Sequence, residues 1–228
     1  MILVHNGTPT ILFRQGRSRV RTRFSIFHEL AHTLFHDYRS NPLMHSSKAR
    51  HFGRQGFLEH LCDVAAAEFA MPIDLFKNDL ARAGFTVSSV EGLCRKYGVS
   101  QEAVCRRMVE CDLGPCALAL VEPAPNTRQR SRRSKRDGAV EDGGRGMKVV
   151  RTTYSTSFAA RKLFIPTFPG FEKRSCLIQA ARSGKPANAS EEVDLGGGCW
   201  RFDIEVLPLM HRPRIKGLSS VLAFFILS

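Results

Sequence analysis

His28, Glu29 and His32 stand in the order H-E-x-x-H within the run Phe24-Ser25-Ile26-Phe27-His28-Glu29-Leu30-Ala31-His32-Thr33-Leu34-Phe35-His36. On a helix, two histidines four apart lie on one face, a turn apart, and can grip a single ion. Zinc accepts neutral imidazole nitrogens at about 2.0–2.1 Å, and a catalytic site leaves one position open for water. A glutamate directly after the first histidine can reach that water as general base. This pattern makes His28 and His32 candidate ligands and Glu29 the candidate base. The bland alternative is a chance motif on a solvated helix. Apolar Phe24, Phe27, Leu30, Ala31, Leu34 and Phe35 surround the motif, which predicts a largely buried helix. No glycine or proline interrupts residues 25–38, and Ser25 is a suitable N-cap. Buried imidazoles and a carboxylate need partners, and a metal would supply them.

A third ligand has to come from elsewhere. His36 lies about 12 Å of helical rise beyond His28, too far to share one ion. The pattern H-E-x-x-H-x-x-G-x-x-H would require glycine and histidine where Phe35 and Tyr38 stand. Glu59 is the better candidate, in an alanine-rich stretch from Leu58 that reads as a second helix ended by Pro72. Glu59 and Asp63 are four apart. One carboxylate can bind the metal while the other takes the free ring N–H of a liganding histidine. The competing reading makes both of them solvated charges on an amphipathic helix. One Zn2+ per chain is expected, with manganese or another divalent ion compatible with the same ligands.

The residues Arg21-x-Arg23-Phe24-Ser25-x-x-His28-Glu29-Leu30-Ala31-His32 resemble the R-x-R-F-[ST]-x-x-H-E-[LI]-[GA]-H run of the ImmA/IrrE metallopeptidases. That family's later segment, E-x-x-A-N-x-F-A-A-x-L-L-M-P, is similar in register to Glu59-x-x-Cys62-Asp63-x-Ala65-Ala66-Ala67-x-Phe69-Ala70-Met71-Pro72. Cys62, Asp63 and Ala65 depart from the pattern and are read as leaving the ligands untouched. The resemblance extends over residues 1–112. It implies a gluzincin-like, cytoplasmic zinc endopeptidase with Glu59 as third ligand and Asp63 behind a histidine. Its implied substrate is a helix-turn-helix repressor, whose cleavage switches on stress-response or mobile-element genes. It also implies an abbreviated or mis-started chain, since relatives have a further helical segment before this point.

The elements that must hold these residues suggest an α+β protein: a mainly helical zincin-like peptidase domain over 1–85, opened by a β-hairpin with its turn at Asn6-Gly7. A helix-turn-helix-like pair is expected over 86–115, opened by a capping box at Ser88–Glu91 and renewed at Ser100. A β-rich, sensor-like domain is expected over 116–228. Within it, 122–147 reads as a basic linker or loop, and strands are expected at 117–121, 148–154, 163–165, 175–180, 198–206 and 221–227. Tyr38, His45, His51 and His60 are candidate donors to a developing oxyanion, and the residue types do not choose among them.

The formal charge is +13, and Arg128, Arg130, Arg132, Arg133, Lys135 and Arg136 supply six of it within nine residues. With Arg95, Lys96, Arg106 and Arg107 on the helix pair, this motivates a second reading: a non-catalytic DNA-binding or partner-binding regulator on a peptidase-like fold. Seven cysteines without any C-x-x-C argue against a zinc ribbon and suit a reducing compartment. The opening residues do not read as a signal peptide, and the apolar run 221–227 is far shorter than the roughly 20 residues of a membrane span. A soluble cytoplasmic protein without a membrane partner is expected.

Overall fold

The computed structural model describes residues 2–5, 8–12, 16, 18–35, 54–124, 147–167, 174–195, 198–212, 214–215 and 217–227. Tyr38, His36, His45, His51, the Asn6-Gly7 turn and the arginine cluster at 128–136 lie outside them. The architecture is α+β, with seven α-helices and a five-stranded antiparallel sheet among the described residues. None of those helices is long and apolar enough to cross a membrane. The chain divides into two compact units, Met1–Gly84 with Val90–Val104, and Phe85–Ser89 with Cys105–Ser228.

The first unit is mainly helical. Strands β1 (Ile2–His5) and β2 (Thr8–Ile11) pair antiparallel, His5 opposite Thr8, so two residues connect them. Helix α1 runs Arg19–His32, and its N-cap is Ser18, whose hydroxyl accepts from the Arg21 N–H at 3.4 Å. Ser25 therefore sits inside the helix, and the helix stops at His32 rather than continuing to residue 38. Thr33 ends it and donates its hydroxyl to the Leu30 carbonyl at 2.7 Å. The expectation of a largely buried helix is also corrected. Only Ala31 and His32 of α1 are buried, while Leu30 and Phe24 are exposed. Apolar residues are distributed all round this helix, and α2 covers one side of it.

Helix α2 spans Arg54–Ala70 and packs on α1 through a buried stripe of small residues, Cys62, Ala66 and Ala70. Their size lets the two backbones approach, and the Phe27 and Phe69 rings close one end at 6.2 Å. Pro72 begins α3 (Ile73–Ala83) without a side chain able to cap it. Glu68 does that work instead, accepting from the Ile73 N–H at 2.8 Å. Helix α4 (Val90–Tyr97) is entered through a 3-10 turn at Val87–Ser89, not directly from a capping serine. Asp79 of α3 accepts from Lys96 Nζ at 2.6 Å and from the Tyr97 hydroxyl at 2.5 Å. Those two hydrogen bonds, that of Lys96 first, hold the Asp79 carboxyl below its ordinary range.

Arg23 of α1 donates to the Tyr97 carbonyl at 2.5 Å, at the C-terminal end of α4, and its guanidinium lies 5.3 Å from the Phe27 ring centre. Gly98 makes that approach possible. Its φ is +62°, and a Cβ there would stand 2.6 Å from Arg23 Nη1. Helix α5 (Gln101–Glu110) follows, capped by Ser100, whose hydroxyl accepts from the Ala103 N–H at 3.2 Å.

The second unit is built on strands β3 (Cys116–Pro123), β4 (Met147–Tyr154), β5 (Ala187–Asp194), β6 (Cys199–Pro208) and β7 (Val221–Leu227), in the order β4-β3-β7-β6-β5. Its central strand β7 is apolar along its whole length because both faces are covered. On one face Phe202 stacks on Phe158 and meets Phe225 edge-on, and Phe85 meets Phe224 on the other at 5.3 Å. Short helices α6 (Thr156–Ala159) and α7 (Cys176–Ser183) complete the unit.

Two expected strands are absent. Residues 175–180 form most of α7, started by Ser175 accepting from the Leu177 N–H at 3.2 Å and ended by Gly184 at φ +71°. A short apolar run fits a buried helix as well as a strand. Residues 163–165 are irregular, with the Ile165 N–H donated to the Tyr154 hydroxyl at 3.0 Å. Strand β5 was not anticipated.

Candidate metal centre

The packing of α1 on α2 brings His28, His32 and Glu59 together. One ligand atom from each lies within 4.8 Å of the others. The two imidazoles come from successive turns of α1, with ring centres 5.1 Å apart. Glu59 reaches both from α2: Oε2 is 3.2 Å from His28 Nε2, and Oε1 is 3.8 Å from His32 Nε2. His32 is buried and the other two are half-buried, so the cluster is sealed on one side and open on the other.

Asp63 stands on the far side of His28, with Oδ1 2.9 Å from Nδ1. The His28 pKa is raised, first by that hydrogen bond, against the opposing effect of burial, and then by the charges of Asp63, Glu59 and Glu29. Three carboxylates thus favour a positive charge at this point, where a proton and a divalent cation would compete. Two imidazole nitrogens and a carboxylate oxygen, converging at this spacing, are a donor set that suits zinc. The residues present fit the ion.

Glu29 is half-buried on α1, and its charge is felt at both His28 and Cys62. His60, one residue beyond Glu59, is turned about 100° around α2 and is exposed. Tyr38, His45 and His51 belong to the segment outside the described residues.

Cys62 is the residue that sequence reasoning missed. Its sulfur lies 3.3 Å from His32 Nδ1, and the side chain is 0% exposed. The departures at 62 and 63 do touch the ligands, one behind each histidine. Burial, then the charges of Glu59, Asp63 and Glu29, push the Cys62 thiol up to about 12, so it stays a neutral thiol. The spacing Glu59, Cys62, Asp63 was the available signal, since i, i+3 and i+4 share a helix face.

Residues 2–109 match the sequence profile of the IrrE N-terminal-like domain, the peptidase family M78. The match covers just under half of the chain and supports membership of the ImmA/IrrE family over that region. A Mycobacterium tuberculosis transcriptional regulator of known structure is similar at 10% identity, with a TM-score of 0.48 over 92% of this chain and 56% of that one. The chain therefore spans about half the length of that protein, and so loose a likeness carries no functional weight. No curated protein sequence matches the chain significantly.

Proposed function

We propose that this chain is a zinc-dependent endopeptidase that cleaves a helix-turn-helix transcriptional repressor in the cytoplasm, derepressing stress-response or mobile-element genes. The observation that carries the reading is the convergence of His28, His32 and Glu59 within 4.8 Å, with Glu29 on the same helix as the two histidines. Held by those three side chains, zinc would act as a Lewis acid toward the scissile carbonyl and make water a better nucleophile at neutral pH.

This chain's own residues supply the rest. Glu29 takes a proton from the attacking water and returns it to the departing amine. Asp63 accepts a hydrogen bond from His28 Nδ1–H, so that Nε2, on the side of Glu59, could give its lone pair to the ion. The buried side of the cluster, around His32 and Ala31, excludes water from one flank. Strand β2 packs near α1, and an extended substrate segment can add to the β1–β2 sheet by main-chain hydrogen bonds.

The alternative of a DNA-reading helix pair loses support from the side chains it needs. Lys96 is engaged by Asp79 at 2.6 Å, and Arg107 is buried with Glu110 at 3.1 Å. Site-specific gel-shift activity of zinc-free protein would revive it.

The experiment is Glu29→Gln in the full chain, incubated with Zn2+ and a helix-turn-helix repressor encoded beside its gene. Zinc should remain bound at one per chain while cleavage falls by about 10²–10⁴-fold, the usual contribution of a general base. Cleavage at the wild-type rate would remove Glu29 from the mechanism.

A further inference from the structure

Helix α2 faces α1 with three polar side chains on one stripe, Glu59, Cys62 and Asp63, at i, i+3 and i+4. Glu59 approaches both histidines from the inner side. The other two side chains meet the outer ring nitrogens: Asp63 Oδ1 lies 2.9 Å from His28 Nδ1, and Cys62 Sγ lies 3.3 Å from His32 Nδ1. We propose that Cys62 is a positioning residue for His32, its sulfur accepting the Nδ1–H so that Nε2 presents its lone pair to the metal. The inference rests on the metal site proposed above.

A neutral imidazole carries one proton, and the nitrogen without it is the one that can ligate. His32 Nε2 faces Glu59, so ligation there requires the proton on Nδ1, where the sulfur is the acceptor. Both partners are buried, at 6% exposure for His32 and 0% for Cys62, and burial shields that contact from bulk water. The sulfur stands behind the ring, outside the three-residue group whose ligand atoms converge, so it orients a ligand and is not one.

The two outer partners are not equivalent. An ionised carboxylate only accepts, so Asp63 requires a proton on His28 Nδ1, whatever stands at Nε2. A thiol can accept or donate, and does either weakly. The thiol thus leaves the tautomer of His32 to what stands at Nε2, and an ion there would select the Nδ1–H form.

The test measures Zn2+ affinity of the full chain by competition with a chromophoric chelator, for wild type, Cys62→Ala, Cys62→Val and Cys62→Ser. Alanine is smaller than cysteine and valine larger, and neither accepts a hydrogen bond. Both should weaken zinc binding by about tenfold, the lower end for a residue behind a ligand. Serine, which accepts and donates as the thiol does, should restore most of the affinity. Histidine 15N spectra of the wild-type zinc form provide a readout that needs no variant and should show His32 protonated at Nδ1.

Alanine and valine variants that bind Zn2+ as tightly as wild type would overturn the proposal and leave the metal site standing. So would ligation through His32 Nδ1, or a sulfur-to-metal charge-transfer band in the Co2+ form. Failure of the wild-type chain to bind Zn2+ at all would remove this inference together with the peptidase reading.

Discussion

In the sheet unit the largest fully buried side chains are hydrocarbon, Phe158, Phe202, Phe224 and Phe225 among them, and the buried polar residues, Arg107 and four serines, form no cluster of metal-ligand type among the described residues. In the helical unit, by contrast, carboxylates gather around two histidines, and a thiol is buried in contact with one of them. A close-packed apolar core suits a unit whose work is to hold one shape. Ionisable groups converging at metal-ligand spacing suit a unit that binds something. The candidate metal centre lies in the first unit, and the described residues of the second bring together no comparable cluster.

The sharpest way to break that contrast is a large cavity in the sheet unit. Phe202 is 0% exposed and touches the rings of Phe158 and Phe225. Phe202→Ala should destabilise the unit by about 3–5 kcal/mol, read by urea denaturation of the full chain. Zinc affinity should stay within about twofold, the scatter expected of independent sites. A parallel collapse of zinc binding would mean that the two units do not divide the work.

Asp63→Ala probes the other side with the opposite signature. The Asp63 side chain is 58% exposed, so its loss should cost far less thermal stability than Phe202→Ala does. Zinc affinity should fall by about 10–100-fold, because His28 loses the acceptor that orients it. Calorimetry on the zinc-loaded and zinc-free forms separates the two effects.

How much of this could be seen beforehand follows the same division. The histidine pair, Glu59 and the surrounding motif are legible because helical spacing alone puts ligands on one face, and α2 ends where Pro72 requires. The role of Cys62 was not legible. It depends on which turn of α2 meets which turn of α1, and cysteine otherwise passes for a small apolar residue. The start of α1 was set too late because Ser18 and Ser25 are both acceptable caps, and nothing local chooses between them. In the sheet unit, β7 is plain from its composition. Strand β5 was missed because Ala-Asn-Ala-Ser-Glu-Glu-Val-Asp lies at the sheet edge and exposes most of its polar side chains, with only Val193 buried. Helix α7 was misassigned because its burial pattern comes from the sheet it covers.

A smaller effect sharpens the account of how α1 is held. Gly98→Ala places a Cβ at φ +62° and within 2.6 Å of Arg23 Nη1. The left-handed conformation alone costs about 1–2 kcal/mol. The flexible guanidinium can move aside only by weakening its bond to the Tyr97 carbonyl. In an Arg23→Ala background the steric part should vanish and the conformational part remain. Chemical denaturation of the four proteins measures the coupling, and fully additive losses would show that the close approach contributes nothing.

The mildest perturbation changes pH alone. His28 has its pKa raised above 6.5 by the Asp63 hydrogen bond, against burial, with Glu59 and Glu29 adding their charge. A group whose folded pKa is raised contributes stability that is fully present below the unfolded value and is lost as pH rises through the folded value. The zinc-free protein should therefore lose the His28 contribution on going from mildly acid to mildly alkaline solution. Zinc binding should run the other way, strengthening over the same interval, because ligation needs the imidazole without its second proton. Asp63→Asn, which removes the largest cause of the shift, should move both transitions to lower pH together. Thermal melts of the zinc-free chain and chelator competition across pH 6–9 would show the opposed slopes. Slopes of the same sign would mean that the proton and the metal do not compete for His28.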